Sequence, residues 1–148
     1  MNEEMKSAIE KVKKETKPKR NVLINTAKAF FVGGLICLIA QIIIEILKQQ
    51  FLLDKEMANS VAIAIMVFLG SLLTGLGIYD KIGQFAGAGT IVPITGFANS
   101  MTSAALEAKS EGIILGIFTN MFKIAGSVLV VGIISAFIFG SIRFLLGI

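Results

Sequence analysis

The sequence predicts an all-α integral membrane protein with three to four transmembrane helices. Its central element is broken by glycine and proline, and it either crosses the bilayer or re-enters from one side. Three observations carry that expectation. Hydrophobic residues make up 55% of the 148, and mean hydropathy is +0.82, too high for an ordinary soluble domain. Apolar runs of about twenty residues, enough to cross a bilayer as helix, recur between short polar connections. Between them lies Gly75 to Gly112, crowded with glycine, alanine, serine and threonine and interrupted at Gly87-Ala88-Gly89 and at Pro93. Irregular backbone is tolerated at membrane depth where protein covers it or where it lines a watery cavity. Function is therefore expected there first.

The length suits one membrane domain, residues 26–148, behind a basic tail, residues 1–25, with no separate soluble enzyme. Residues 1–20 hold seven Lys/Arg and four Glu. Met5, Ile9 and Val12 could share one side of a short helix, with Glu10 four residues before Lys14, until Pro18 stops it. The positive-inside rule puts this tail in the cytoplasm; a segment lying on anionic headgroups is the alternative. The tail is too long before the first apolar run for a cleavable signal peptide.

The first span is expected at about residues 26–47. Gly34, Cys37, Gln41 and Glu45 fall at helical spacing on one face, where small and polar residues mark helix contact. Phe30, Leu38, Ile42 and Ile46 form a lipid-compatible face. Glu45 sits near the outer end, either at the interface or as a buried carboxylate facing a pore or a basic partner. Asn59 or Ser60 is the expected N-cap of a second span at about residues 61–78. Its Gly70, Thr74 and Gly77 predict close packing. Tyr79 suits the headgroup zone, and Asp80-Lys81 mark emergence into water.

A broken helix is expected at about residues 82–106. Gly83 and Gly87 form a small-xxx-small pair, Gly87 and Gly89 weaken the helix, and Pro93 removes a backbone donor and biases Val92 away from helix. The break is placed at about residues 88–93. Beyond it, Thr95, Asn99, Ser103 and Glu107 recur every four residues as a polar stripe. Such discontinuous helices can hold an anionic group at depth; tight packing with a structural kink is the other reading. A charged turn containing Glu107, Lys109 and Glu111 follows. Residues 112–146 would make more than 50 Å of helix, too long for one upright crossing. They read as a short or interfacial helix to about Asn120 and a full span from about Lys123 to Phe144, with Arg143 as an interface anchor. Lys123 either snorkels at a span end or pairs with Glu45, Asp80 or an anionic solute. Four crossings would leave both termini inside; re-entry would leave three, with Arg143 outside.

Catalytic constellations are missing. Without histidine there is no Ser-His or Cys-His pair, and Cys37 lies in an apolar run with no activating cation nearby. No metal-ligand spacing occurs. The glycines form no nucleotide fingerprint, because no strand precedes them and no GK[ST] follows. The basic tail lacks aromatic residues for stacking on bases. Neither an enzyme nor a cofactor is expected.

The run GLGIYDKIGQFAGAGTIVPITGFANSMTSAALEAKSEG resembles the membrane subunits of the stage V sporulation protein A family of endospore-forming bacteria. KAFFVGGLIC at residues 28–37 resembles the first span of that family, and the likeness covers about residues 27–146. Tyr79-Asp80, Gly96 through Met101 and the basic tail resemble the AC branch rather than the AE branch.

The resemblance implies a role in moving dipicolinic acid, as its calcium chelate, across the forespore membrane, inward in sporulation and outward in germination. It also implies a channel responsive to tension, working with the sister membrane subunit AE and a soluble dipicolinate-binding subunit AD. It supplies no set of path-lining residues. From spacing, Thr95, Asn99 and Ser103 are the candidates to meet solute, with Lys123 and Glu45 as charged groups along the path. Gly83, Gly87, Gly89 and Pro93 are the candidates for packing or gating. The competing expectation is a non-conducting anchor that recruits the soluble subunit through Asp80, Lys81, Glu107, Lys109 and Glu111.

Overall fold

The computed structural model describes residues 21–147 together with Met5, Ile9 and Val12, which are helical and exposed. The expected Glu10–Lys14 pair and the stop at Pro18 lie outside the described residues. Among these residues the chain is helical, without strands. Three helices are long and apolar enough to cross a membrane: Val22–Gln50, Lys55–Gly75 and the continuous stretch Ile113–Leu146.

Helix α1, Val22–Gln50, is about 43 Å long. Helix α2, Lys55–Gly75, starts about six residues earlier than the apolar run suggests. Its N-cap is Asp54, whose carboxylate accepts from the Met57 backbone N–H at 3.4 Å. The expected caps are inside the helix instead, where Ser60 Oγ donates to the Glu56 carbonyl. A carboxylate caps well, and the polar first turn Lys55-Glu56 lengthens the helix without adding hydropathy. The two helices meet as a hairpin around Leu47, Ala58 and Ala62. The contact face of α2 is a four-residue ladder of Ala58, Ala62, Met66, Gly70 and Thr74, all buried. Gly77, expected on that face, instead has φ +69 and ends the helix in an exposed turn.

The central element has three pieces: α3 (Tyr79–Ala86), α4 (Ala88–Ile91) and α5 (Ile94–Glu107). Its two corners are Gly87, with φ +52 and ψ −121, and the Val92-Pro93 step, where Pro93 is extended at ψ 159. The single expected break is thus a pair of corners with one helical turn between them. Gly87 has the backbone of the first central residue in a type II′ turn, which glycine adopts without strain.

The neighbours of these pieces set their direction. Gln84 to Ala88 lie along Val22 to Ala29 of α1, and Gly89 to Pro93 lie along Ala29 to Cys37. The chain therefore runs with α1 as far as Pro93, about halfway along that helix. It then runs with α2, since Gly70 faces Thr95 and Ala98 while Thr74 faces Asn99. As α2 runs against α1, both ends of the central element lie at the end of the bundle where α1 begins. It is a re-entrant hairpin, and α5, about 21 Å long, is too short to cross alone.

After a short 3₁₀ turn, Lys109–Glu111, the backbone winds as a π-helix over Ile113–Phe118 and passes directly into α6, Thr119–Leu146. No break occurs at residues 120–123, where the length argument had placed one. The stretch is instead one continuous helix of 34 residues, and Asn120 Nδ2 and Thr119 Oγ1 secure its π-wound start by donating to the Gly116 and Ile114 carbonyls. No residue of α6 is buried.

Candidate functional site

The contacts inside the hairpin are backbone-close. A Cβ on Gly89 would collide with the Ala29 carbonyl and lie 2.8 Å from Ala29 Cα. One on Gly96 would collide with the Thr90 carbonyl. At Gly83 the nearest atom would be Thr90 Oγ1 at 3.6 Å, and at Gly87 nothing lies within 4 Å. The close approach expected at the Gly83/Gly87 pair occurs instead at Gly89, against α1, and at Gly96, within the hairpin.

Tyr79 ties the hairpin shut. Expected in the headgroup zone, it is only 4% exposed. Its phenol donates to the Thr90 carbonyl at 2.8 Å and shares a 2.8 Å hydrogen bond with the Thr95 hydroxyl. Thr90 and Thr95 are themselves buried. Nothing in local spacing could have found this trio, because its members stand eleven and sixteen residues apart across two corners.

Beside it lies a cavity of about 320 Å³ lined by α3, α4 and α5. Its polar walls are Asp80, Gln84, Thr90, Asn99 and Ser100, and Asp80 is its one charged wall residue. Thr90 Oγ1 donates to the Gly87 carbonyl and Ser100 Oγ to the Gly96 carbonyl. Asn99 reaches across to α2: Thr74 Oγ1 lies 2.8 Å from Asn99 Oδ1 and 2.7 Å from the Gly70 carbonyl, so its one proton serves one of them at a time. A polar corner cavity of this size is large enough for a small ligand.

Of the stripe residues, Thr95 is buried against Tyr79, Asn99 borders the cavity, Ser103 is half-buried beyond it and Glu107 is exposed. Glu45 accepts from Gln41 at 3.0 Å and pairs with Lys48 at 3.2 Å near the far end of α1. Lys123 is exposed on α6, one residue before the segment that flanks Ile91 to Ser100, and forms no ion pair among the described residues. Glu45 and Lys123 thus sit towards opposite ends and do not meet. Asp80 and Lys81 at the start of the hairpin, and Glu107, Lys109 and Glu111 at its finish, are exposed at the same end. On α1 the packed face is Ala29, Gly33, Ile43 and Leu47. The expected contact stripe is not that face, because Gly34, Cys37 and Gln41 are exposed and Glu45 is half-buried.

A family model described as SpoVAC/SpoVAEB sporulation membrane protein matches residues 25–142. The chain belongs to that family. It is also 53% identical over 131 residues to the stage V sporulation protein AC of Bacillus subtilis (strain 168), covering 88% of this chain and 87% of that protein. No solved structure matches. The matched region takes in the whole re-entrant hairpin, all of α2 and all but the first three residues of α1.

Proposed function

We propose that this chain is a membrane subunit of the spore's dipicolinic acid channel, passing the calcium chelate inward in sporulation and outward in germination. The observation that carries the reading is the re-entrant hairpin, which brings a polar cavity lined by Asn99 and Ser100 towards mid-helix depth beside α1 and α2. Half-depth broken helices of this kind supply uncommitted polar groups where transporters hold solute. In this reading Asn99 meets the solute and Thr95 braces it through Tyr79. Ser103 lies farther along the stripe, Lys123 attracts a dianion from the flank, and Glu45 stands at the distal end. Gly87, Gly89 and Pro93 form the joint through which tension would act, with Gly83 packed beside Thr90. The basic tail holds the amino terminus in the cytoplasm of the forespore. The sister membrane subunit AE completes the conduit, and the soluble AD subunit docks where Asp80, Lys81, Glu107, Lys109 and Glu111 gather.

Replacing Asn99 with leucine tests the path directly. Dipicolinate release from spores is expected to fall severalfold while the protein remains at normal level in the membrane; unchanged release removes Asn99 from the path. The same gathering of exposed charges at one end favours a second reading, a non-conducting anchor for the soluble subunit. Cysteine labelling of residues 90–105 in a Cys37→Ser background separates the two. Reagent access at every fourth position supports a wetted path, and uniform protection supports the anchor.

A further inference from the structure

The polar cavity between α3, α4 and α5 is walled mostly by groups that accept hydrogen bonds. Thr90 Oγ1 spends its proton on the Gly87 carbonyl, and Ser100 Oγ spends its own on the Gly96 carbonyl. Each hydroxyl therefore keeps only lone pairs for anything that enters. The backbone N–H groups of the wall residues Gly87, Thr90 and Gly96 are likewise taken, by the Gly83, Gly87 and Pro93 carbonyls. The Tyr79 phenol is committed to Thr90 and Thr95. Thr74 Oγ1 stands between the Gly70 carbonyl and Asn99 Oδ1 with one proton for two acceptors. Turning the Asn99 amide over satisfies both contacts, since Nδ2 then donates to Thr74 and Oδ1 is left free. Asp80 adds a carboxylate with no hydrogen bond or ion pair among the described residues. No described lysine or arginine lines the cavity.

We infer that this cavity binds a hard cation, with the Asp80 carboxylate as anchor and the oxygens of Thr90, Asn99 and Ser100 as neutral ligands. An anion entering there would meet lone pairs and a like charge. Oxygen donors of this kind suit calcium, which takes about six to eight of them and fills remaining places with water. A hollow of about 320 Å³ has room for the ion with part of its water shell. One carboxylate among neutral oxygens puts the affinity at the weak end, about 10⁻⁴–10⁻³ M. Such an ion is held briefly and released. The choice of calcium rests on the channel reading, in which it is part of the solute. A chelated calcium keeps open coordination positions, so the solute would meet Asp80 metal first.

The cavity carries its own reporter, because Tyr79 lines it and is the one tyrosine of a chain without tryptophan. Terbium(III), a hard ion that takes calcium's place, emits when an excited tyrosine lies close by. The full-length chain, washed with chelator in an uncharged detergent and free of dipicolinate, is titrated with terbium chloride under tyrosine excitation. High potassium chloride screens attraction to exposed carboxylates. Saturable emission is expected in that background, and excess calcium should displace it. Asp80→Asn should weaken terbium binding about tenfold, as the one charged ligand is lost. Ser100→Ala should weaken it less, and Glu107→Gln, an exposed carboxylate outside the cavity wall, not at all. Absence of sensitised emission, or an Asp80→Asn chain that binds terbium as the unaltered one does, overturns the inference. Dipicolinate release from spores separates it from the channel reading. Lost terbium binding in Asp80→Asn with unchanged release would uphold the cation site and sink the channel reading. No terbium signal, with release still lost in Asn99→Leu, would do the reverse.

Discussion

The hairpin is seated backbone to backbone on α1, and adding one methyl group there has a calculable effect. In Gly89→Ala the new Cβ would lie 2.8 Å from Ala29 Cα and 2.9 Å from its carbonyl carbon, and closer still to the carbonyl oxygen. Ordinary van der Waals contact begins at 3.4 Å, so two backbones must part by about 1 Å, and neither is a flexible side chain that can step aside. Overpacking of this kind costs about 1–3 kcal/mol. For a chain of this size that lowers the melting temperature by about 2–12 °C. Gly33→Ala, across the same joint, meets Gly89 O at 3.2 Å and Gly89 Cα at 3.4 Å, so its effect should be smaller. Gly34→Ala meets nothing within 4 Å and should be neutral. The assay is thermal loss of monodisperse protein in detergent across the three variants. A Gly89→Ala protein that melts together with Gly34→Ala would refute the argument that the hairpin is seated backbone to backbone on α1.

Other outcomes follow from the same geometry. Tyr79→Phe leaves the buried Thr90 carbonyl and Thr95 hydroxyl without the phenol they share. A loss of about 1–3 kcal/mol should appear in the same melting assay. Gly87→Ala forces a side chain onto φ +52, ψ −121, at about 1–3 kcal/mol. As no atom crowds that site, Gly87→Asn should fare little better, because the strain lies in the backbone; full stability of either variant would contradict the assigned corner.

The spans were legible in the sequence because hydropathy and length are local properties. So was the broken character of the centre, since glycine and proline act on their own backbone. The beginning of α2 was not, because an apolar window cannot detect a helix that continues into water, and the capping Asp54 stands before that polar turn. The face of α1 was misread for another reason. Small residues occur on two of its sides, and only the partner decides which is used; Gly33 meets Gly89 while Gly34, one residue on, is exposed. Four-residue spacing correctly grouped Thr95 with Asn99, yet it could not tell that one is spent on Tyr79 and the other borders a cavity. Those fates depend on Tyr79, brought over by the corner at Gly77.

The hairpin also implies an order of assembly. Its hydroxyls bond within the hairpin, but its opened backbone and the Asn99 amide have no partners in lipid, where each unsatisfied polar group costs several kcal/mol. The partners that satisfy or cover them are supplied by Ala29 and Gly33 of α1 and by Gly70 and Thr74 of α2. Both helices leave the ribosome before the hairpin does, and together they form a finished apolar pair. Residues 79–107 thus reach the membrane as a guest segment with its berth already built, and the last span closes behind them. A chain lacking either of the first two helices should therefore strand this segment at the membrane surface, where proteases can reach it.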